Sequence, residues 1–414
     1  MARSFTDFIT EEEQIENYKV IILTVEHGDK SITAKKFEKQ AQKMGMEVFL
    51  SDFKGVSLTF DDGKYSIKDK NNSMEFSSKE TVVFVRGTPT RDSHLDLISE
   101  LERIGCTCIN NRTTISICAD KYRSYVRMKD FKLNQPKTVL VPTEDDIDTA
   151  LEELDTKFPI ILKTLRGAGG VGVLFVESKR ALDSLVQLIY KQDPETDVLI
   201  QEYIKTDGDV RVVIAGSDII GTMKREVVEG DFRSNYTQGA GVKSYKLSDE
   251  EIRQCMIAAK AVDGDFVAAD FIPYKGKPYF LEVNSSPGTE GIEEANSGLN
   301  IAKEVLEHYR DTKNRYKVPI RCGYHEMVNI KPFGEIETKF DTGNSAYSVL
   351  HATDIKTNGN KITFTAVDGK THTMKLEKEY KARTGGGVDE RPIVKLEVEF
   401  MGHTHELMFG LDDR

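Results

Sequence analysis

Short apolar runs alternate with amphipathic segments in the first quarter of the chain, which is the pattern of a parallel α/β sheet. The runs at residues 19–25, 47–50 and 81–86 read as buried strands. A polar segment at residues 33–44 and a segment with apolar residues near helical spacing at residues 93–104 predict two helices. No glycine-rich dinucleotide loop follows these strands. The pattern therefore predicts a small α/β domain that acts as a scaffold or lines one side of a substrate-binding site.

The pattern changes twice further along. Strands and helices are mixed up to a polar junction at residues 311–317, and most of the polar motifs lie in this stretch. Beyond the junction, short segments of alternating apolar and polar residues, such as 361–365 and 394–400, predict strands joined by tight turns. We therefore expect an α/β (α+β) chain with four parts, namely an acidic leader (1–17), an α/β domain (18–118), a mixed domain (119–312) and an all-β domain (320–414).

Composition and charge narrow the choice of partners and compartment. The 414 residues are 39% hydrophobic and 30% charged, as in an ordinary globular protein, and the net charge of −11 argues against nucleic acid or an anionic membrane as the main partner. The five cysteines form no CxxC pair, so neither a disulfide framework nor a zinc knuckle is predicted. The chain shows neither a signal peptide nor an apolar run of about 20 residues, so we expect a cytoplasmic protein that does not span a membrane.

A glycine-rich turn, Gly167 to Gly172, joins two strands predicted at residues 159–163 and 173–176. The backbone N–H groups of such a turn can approach a phosphate, and Lys163 at the end of the first strand supplies a fixed positive charge. No Gly-Lys-Ser/Thr follows, which excludes a Walker loop. A tight turn without a ligand is the alternative that stays open.

Two more segments suit a nucleotide and an anion. The strand predicted at residues 197–204 ends in polar residues; its backbone edge can pair with an adenine, and Glu202 or Asp209 can bind ribose hydroxyls. A strand followed by a solvated loop explains the same pattern. In the glycine-containing loop at residues 229–241, Arg233 is either a bidentate clamp for a carboxylate or phosphate or an exposed loop arginine.

Three polar residues interrupt two apolar strands predicted at residues 266–272 and 279–284. A short turn makes the two strands antiparallel neighbours, and alternation places Glu282 and Asn284 on the same face. Asp270 can meet them from the partner strand. Oxygen ligands of this kind suit Mg²⁺ that carries nucleotide phosphates, since burying them unpaired would be costly. A hydrogen-bond network at the sheet edge is the alternative.

Together, the motifs between residues 18 and 311 resemble the ATP-grasp ligases of the RimK type (the α-L-glutamate ligase family), which add glutamate to the carboxyl terminus of a protein or small molecule. They occur in the family's order and at sensible intervals. They are Ala119-Asp-Lys121, Ile161-Leu-Lys163 with Gly167 to Gly172, Ile200-Gln-Glu-Tyr-Ile-Lys205, Glu229-Gly-Asp-Phe-Arg-Ser-Asn235 and Leu281-Glu-Val-Asn-Ser-Ser-Pro-Gly288. The chain departs from the family pattern in two places. Glu226 follows Arg225 where a second basic residue is expected, and the glycine-rich turn reads Arg166-Gly-Ala-Gly-Gly where the family usually has Glu-Gly-x-Gly.

The resemblance implies a role for each matched residue. Lys121 and Lys163 would contact the phosphates of ATP. Adenine and ribose would be held by Gln201, Glu202, Tyr203, Ile204 and Asp209. The nucleotide phosphates and the substrate carboxylate would meet at Arg225, Arg233, Ser234 and Asn235, and the catalytic residues would be Arg233, Lys163 and Asn235. The metal ligands would be Asp270, Glu282 and Asn284.

The resemblance also implies a reaction. A carboxylate attacks the γ-phosphate of ATP with Mg²⁺, or Mn²⁺ as an alternative, and forms an acyl phosphate; an amine then displaces phosphate to give an amide. Positioning and charge compensation dominate such chemistry, which suits motifs made of cations, metal ligands and glycines. The expected partners are an amino acid, with glutamate as the family default, and the carboxyl terminus of a peptide or protein.

The tail carries a second candidate site. Asp341-Thr-Gly follows a predicted strand, and by itself this tripeptide is usually a turn. With Asp389-Glu-Arg-Pro392 and Leu411-Asp-Asp-Arg414 it resembles the retropepsin-like domain described as an ATP-dependent zinc protease. An aspartic protease needs two carboxylates that share a proton, so Asp341 would act only across the two-fold axis of a dimer. A peptide-binding or dimerising module is the alternative, and we expect a homo-oligomer.

These observations favour an ATP-dependent carboxylate–amine ligase with an N-terminal α/β pre-ATP-grasp domain and a C-terminal all-β retropepsin-like barrel. The competing hypothesis is an aspartic-type peptidase that acts through Asp341 and uses its ATP-grasp part for regulation. A degenerate nucleotide-binding module is a third hypothesis, and the presence of both lysines and all three metal-type ligands disfavours it.

Overall fold

The computed structural model describes residues 18–25, 31–61, 64–165, 172–193, 195–227, 241–311, 314, 325–339, 347–384, 387–400 and 403–413. The chain divides into two compact units, Gln14–Val318 in one, and Pro319–Arg414 together with Met1–Glu13 in the other. The domain bounds predicted from the sequence stay predictions.

The first unit begins with a parallel sheet, as the sequence pattern predicts. Its strands are β1 (Lys19–Thr24), β2 (Val48–Asp52), β6 (Thr81–Arg86) and β7 (Thr107–Ile109), in the order β2-β1-β6-β7. A small antiparallel sheet lies between β2 and β6 in sequence and consists of β3 (Ser57–Asp61), β4 (Lys64–Lys68) and β5 (Ser73–Phe76). The helices of this part are α1 (Ile32–Lys43), α2 (Asp92–Arg103) and α3 (Arg112–Cys118).

Helix α1 shows why these segments are helical. The side chain of Ser31 caps its first turn by accepting a hydrogen bond from the backbone N–H of Ala34 at 3.4 Å. Its buried residues Ala34, Phe37 and Ala41 recur at intervals of three and four, so one stripe of the helix faces the core. The helices predicted at residues 33–44 and 93–104 are confirmed within two residues at each end.

A four-stranded antiparallel sheet follows. Helix α4 (Lys121–Asp130) precedes its strands β8 (Thr138–Val141), β9 (Ile160–Thr164), β10 (Val173–Val176) and β11 (Val198–Glu202), which lie in the order β10-β9-β11-β8. Helices α5 (Ile147–Leu154) and α6 (Lys179–Gln192) share one hydrophobic core with this sheet. The strand pair predicted on either side of the glycine-rich turn is confirmed, because Lys163 pairs with Val173 in an antiparallel ladder.

The second sheet of this part has five antiparallel strands in the order β14-β13-β12-β15-β16. They are β12 (Gly208–Ala215), β13 (Asp218–Glu226), β14 (Val242–Lys243), β15 (Phe266–Tyr274) and β16 (Lys277–Asn284). Helix α7 (Asp249–Ala261) shares a core with one face of the sheet, and α1, α8 (Glu290–Ala295) and α9 (Ile301–His308) share a core with the other. Because both faces are covered, the central strands β12 and β15 are almost wholly buried, and polar residues within them need partners.

The second unit is all-β in its described residues. One sheet has the order β18-β17-β24-β25-β19, with β23 also paired to β24, and the other has the order β20-β21-β22. The strands are β17 (His325–Lys331), β18 (Gly334–Lys339), β19 (Ser348–His351), β20 (Thr353–Asn358), β21 (Lys361–Thr365), β22 (Thr371–Lys375), β23 (Lys378–Thr384), β24 (Gly387–Phe400) and β25 (His403–Asp412). Among these described strands, β18 and β19 end the larger sheet, so it stays open and no closed barrel is found. The retropepsin-like barrel is therefore not confirmed.

No helix in the described ranges is both long enough and apolar enough to cross a membrane.

Candidate active site

The three predicted metal ligands lie on the β15–β16 hairpin. Asp270 pairs directly with Glu282, and Ala268 pairs with Asn284. The side-chain Nδ2 of Asn284 donates to Oε1 of Glu282 at 3.0 Å, so both side chains lie on the same face, as alternation predicts. The structure therefore brings the three oxygen-bearing side chains to one edge of the five-stranded sheet.

Asp270 is the centre of a buried ion network. Its Oδ1 accepts from Nε of Arg211 at 2.8 Å, and its Oδ2 accepts from Nη2 of Arg211 at 2.6 Å and from Nη2 of Arg225 at 2.9 Å. Arg225 also holds Asp209, with Nε donating to Oδ1 at 2.9 Å. Burial alone would raise the pKa of Asp270, but the two guanidinium groups outweigh burial and hold that pKa below its ordinary value. Asp270 is therefore a carboxylate at neutral pH.

The negative charge of Glu282 affects the pKa values of both predicted phosphate-binding lysines, Lys163 and Lys121. Lys163 lies in β9, and Lys121 opens α4, where its backbone N–H donates to the carbonyl of Leu165 at 3.1 Å. Burial lowers the pKa of Lys163 to about 8; Glu282 opposes the shift and Lys121 adds to it. Burial also lowers the pKa of Lys121, again against the effect of Glu282. Both ammonium groups thus lie close enough to Glu282 for its negative charge to act on them.

The predicted adenine site is the end of β11. The amide Nε2 of Gln201 donates to Oγ1 of Thr138 at 2.7 Å, and the backbone N–H of Glu202 donates to the carbonyl of Lys137 at 2.8 Å. The ring of Tyr203 meets that of Phe175 edge to face at 5.0 Å, and Ile204 is buried. On β11, Leu199 is the residue that pairs with Lys163. At about 3.3 Å per residue, Glu202 lies about 10 Å along the strand from the level of Lys163.

Asp209, predicted to bind ribose, lies in the ion network with Arg225 and is only 3% exposed. Its ribose role stays a prediction. Arg211 was not among the candidates, although Asp209 and Arg211 are charged residues at alternate positions of an otherwise apolar strand. Such a pattern in a buried strand signals paired charges, and it is the signal that could have identified Arg211.

Several predicted residues lie outside the described part of the chain. They are Arg233, Ser234, Asn235, Asp341 and residues 166–171 of the glycine-rich turn.

The donor set fits a hard divalent cation. Asp270 and Glu282 are carboxylates and Asn284 contributes an amide oxygen, which are the ligand types of Mg²⁺. The arginines supply three hydrogen bonds to Asp270, and a carboxylate offers about four lone-pair sites. Asp270 thus keeps about one lone pair that can bind a metal, while the guanidinium groups of Arg211 and Arg225 fix the position of its carboxylate.

Comparison with known proteins identifies the family. A family model described as the RimK-like ATP-grasp domain matches residues 118–309. A “Probable alpha-L-glutamate ligase” from Marinomonas sp. (strain MWYL1) is 34% identical over 218 residues, which are 52% of this chain and 71% of the relative. The chain belongs to the RimK-like ATP-grasp family. A “Probable alpha-L-glutamate ligase 2” from Pseudoalteromonas atlantica is 26% identical to this RimK-like chain over 277 residues, which are 66% of the chain and 90% of the relative.

Solved structures share the fold of this chain. The RimK domain ATP-grasp protein of Sphaerobacter thermophilus matches with a TM-score of 0.53 at 18% identity, covering 70% of this chain and 98% of that one. The RiPP-associated ATP-grasp ligase of Chryseobacterium gregarium, solved with ADP and a leader and core peptide, matches with a TM-score of 0.57 at 14% identity, covering 73% and 100%. These likenesses show the ATP-grasp fold. The RimK-like chain is an ADP-forming carboxylate–amine ligase, and the enzyme class expected from the sequence is confirmed.

Proposed function

We propose that this RimK-like ligase uses ATP to activate the carboxylate of a peptide or protein and joins an amino acid to it. The observation that supports this most directly is that two partly buried lysines are within the electrostatic influence of Glu282, which lies beside Asp270 and Asn284 on the β15–β16 hairpin. Cations beside metal-type ligands are what a triphosphate needs, because the triphosphate and its metal carry opposite charges that must be held together.

ATP would lie along β11. The adenine would occupy the strand end at Gln201 to Ile204, and the phosphates would reach Lys163 and Lys121. The separation of about 10 Å along the strand suits the length from a purine to its outer phosphates. The backbone of Glu202 already pairs with Lys137, and the side chain of Gln201 is bonded to Thr138, so the strand end is held firmly.

Asp270, Glu282 and Asn284 would hold Mg²⁺, which supplies charge neutralisation to the phosphates when bound. Arg211 and Arg225 keep Asp270 ionised and in place. Lys121 and Lys163 would stabilise the charge that moves from the γ-phosphate to the leaving ADP. The substrate carboxylate attacks the γ-phosphate, an acyl phosphate forms, and the amine of the amino acid displaces phosphate. The described groups therefore act by position and charge rather than by proton transfer.

Glutamate is the amino acid we propose, because curated relatives carry the name α-L-glutamate ligase. A peptide acceptor is supported by structural relatives solved with precursor peptides. Arg233, Ser234 and Asn235 would bind phosphate and the substrate's carboxylate, as the family motif implies.

The test is ADP release with Mg²⁺ and ATP against the twenty amino acids, with and without short peptides, followed by mass spectrometry. We expect turnover that requires glutamate and a peptide, and a product heavier by one glutamate residue. Turnover with another amino acid would replace glutamate, and absence of amino-acid-dependent turnover would contradict the proposal. A Glu282→Gln variant serves as the control for turnover by contaminating ATPases.

For the C-terminal unit we propose a peptide-binding or dimerising role, since Asp341 supplies only one carboxylate of an aspartic pair. The competing hypothesis is peptide cleavage through Asp341. An Asp341→Asn variant should keep glutamate addition unchanged and should show the same peptide products as the wild type. Shortened peptides that appear with the wild type and disappear with the variant would instead favour the peptidase. Sedimentation of the full chain tests the expected homo-oligomer.

A further inference from the structure

A buried asparagine directly after the last strand of the N-terminal parallel sheet is bonded to β15 and to the residue that follows β16, and these two strands carry the candidate metal ligands. Asn110 follows β7 directly and is fully buried. Its Nδ2 donates to the backbone oxygens of Phe266 at 2.6 Å and Ser285 at 2.7 Å. Its Oδ1 accepts from the backbone N–H groups of Asp265 at 2.8 Å and Phe266 at 2.9 Å. All four hydrogen-bonding positions of the amide are used, and this arrangement fixes which atom is the oxygen.

These bonds lie where the backbone ladder of the hairpin stops. The last paired residues of β15 and β16 are Ala268 and Asn284. Phe266 and Ser285 lie just beyond that pair, and the Asn110 amide joins them in place of a further backbone rung. The side chain of Asn110 thereby fixes the chain one residue after Asn284.

The next two residues are also held by the N-terminal sheet. The backbone N–H of Gly87 donates to Oγ of Ser286 at 2.8 Å, and Nη2 of Arg86 donates to the carbonyl of Pro287 at 2.5 Å. Arg86 is only 3% exposed, and its guanidinium carbon lies 5.6 Å from the ring centre of Phe266. Three consecutive residues after Asn284 are therefore hydrogen-bonded to residues at the ends of β6 and β7.

We propose that Asn110 is a positioning residue for the metal ligands Glu282 and Asn284, with Arg86 in support. The inference rests on the proposed function, because the metal role of those two residues is part of that proposal. Asn110 acts through the backbone of Ser285 and needs no contact with substrate. Ligands must be held within about 0.5 Å of their working geometry, and loss of such outer support typically costs 10- to 100-fold in metal affinity or activity.

Asn110→Asp tests the inference with almost no change of shape. The variant keeps the acceptor bonds from Asp265 and Phe266, but it places an oxygen against the carbonyls of Phe266 and Ser285. In the presence of ADP, we expect Mn²⁺ affinity, measured by the electron paramagnetic resonance signal of free Mn²⁺, to fall 10- to 100-fold. ADP binding without metal should change less than about twofold, because the adenine site on β11 is not touched.

Asn111→Asp is the matched control. Asn111 is the next residue and is also buried, but its Nδ2 donates to the carbonyl of Asp263 at 3.1 Å and its Oδ1 caps α3 through the N–H of Thr114 at 2.9 Å. Neither of these two bonds reaches β16 or the residue that follows it. We expect wild-type Mn²⁺ affinity from this variant, so a drop equal to that of Asn110→Asp would count against a specific role.

The outcomes separate the inference from the function on which it rests. Wild-type protein that binds ADP but no Mn²⁺ would remove the proposed metal site and this inference with it. Wild-type protein that binds Mn²⁺, together with a folded Asn110→Asp variant of equal affinity, would overturn the inference alone. If circular dichroism shows that Asn110→Asp does not fold, Arg86→Met decides, because it removes the bond to Pro287 and keeps an apolar stem in place. We expect at least fivefold weaker Mn²⁺ binding from Arg86→Met, and unchanged binding would overturn the inference.

Discussion

Nucleotide binding near pH 8 should draw protons from solution, because Lys163 is then only partly protonated in the free protein. Its pKa of about 8, lowered first by burial, means that about half of the molecules carry the ammonium form at pH 8. The ammonium form makes up about nine tenths at pH 7 and about one tenth at pH 9. Phosphate oxygens favour the charged form and raise the pKa again. Filling the site should therefore take up about 0.1 proton at pH 7, about 0.5 at pH 8 and about 0.9 at pH 9 through Lys163.

Isothermal titration calorimetry measures this uptake directly. Mg²⁺ and ADP are titrated into the protein in buffers that differ in ionisation enthalpy, and the slope of the apparent enthalpy gives the number of protons. Lys163→Met should lower the uptake at pH 8 by about 0.5 proton, while a smaller uptake through Lys121, whose pKa is also lowered, remains. Lys179→Met removes an exposed lysine of α6 and serves as the matched control.

Two results would refute the reasoning. Equal uptake by the wild type and Lys163→Met at pH 8 would mean that the phosphates do not reach Lys163. Uptake that falls from pH 7 to pH 9 would mean that a group with a lower pKa is responsible. In either case the placement of the triphosphate along β9 and β11 would have to be abandoned.

Three further predictions concern turnover and stability. Asp270→Asn and Glu282→Gln should both abolish ADP formation. Only Asp270→Asn breaks a buried ion network, so urea unfolding should show a free energy of unfolding lower by about 3–5 kcal/mol for this variant alone. Equal losses in the two variants would contradict this reasoning. The lowered pKa of Lys163 reduces the free energy of unfolding below about pH 8, and this loss becomes smaller as the pH rises toward the ordinary value of 10.5. Lys163→Met removes the loss, so it should raise the free energy of unfolding at pH 7 by up to about 3 kcal/mol, and by progressively less above pH 8. Ser248→Ala removes the capping box of α7 and should lower stability by about 1 kcal/mol with no change in the KM for ATP; a changed KM would show that α7 shapes the nucleotide site.

The β15–β16 hairpin was predicted well from the sequence, because the residues that determine its pairing lie close together along the chain. Two apolar segments around a short turn fix the antiparallel pairing, and alternation then places Glu282 and Asn284 on the same face. The turn residues and the strand residues are within twenty positions of one another, so no distant part of the chain is needed to read the pattern. The same locality explains the correct prediction of the β9 and β10 pair on either side of the glycine-rich turn.

The ion network could not be predicted in this way, because its members are distant in sequence. Arg211 and Asp270 are 59 residues apart, and Arg225 and Asp270 are 45 apart. They meet only because β12 lies between β13 and β15, and nothing local determines that strand order. Asn110 lies 175 residues before Ser285, so its role could not be predicted either, because the two partners are distant in sequence. The closed barrel expected for the tail is not confirmed, since a tripeptide and a strand pattern do not specify whether a sheet's end strands pair.

The arrangement of charge explains why a metal and a triphosphate are expected side by side in one site. At the arginine end, Asp209 and Asp270 form ion pairs with Arg225 and Arg211, and the two arginines hold the metal-type ligand Asp270 ionised and in place. At the lysine end, Glu282 acts on Lys163 through space, and among the described residues no carboxylate forms an ion pair with Lys163. Burial lowers the pKa of Lys163, and the attraction of Glu282 does not offset this effect. An anion is the missing compensation, and a triphosphate that supplied it would bring its outer oxygens beside Glu282 and Asn284.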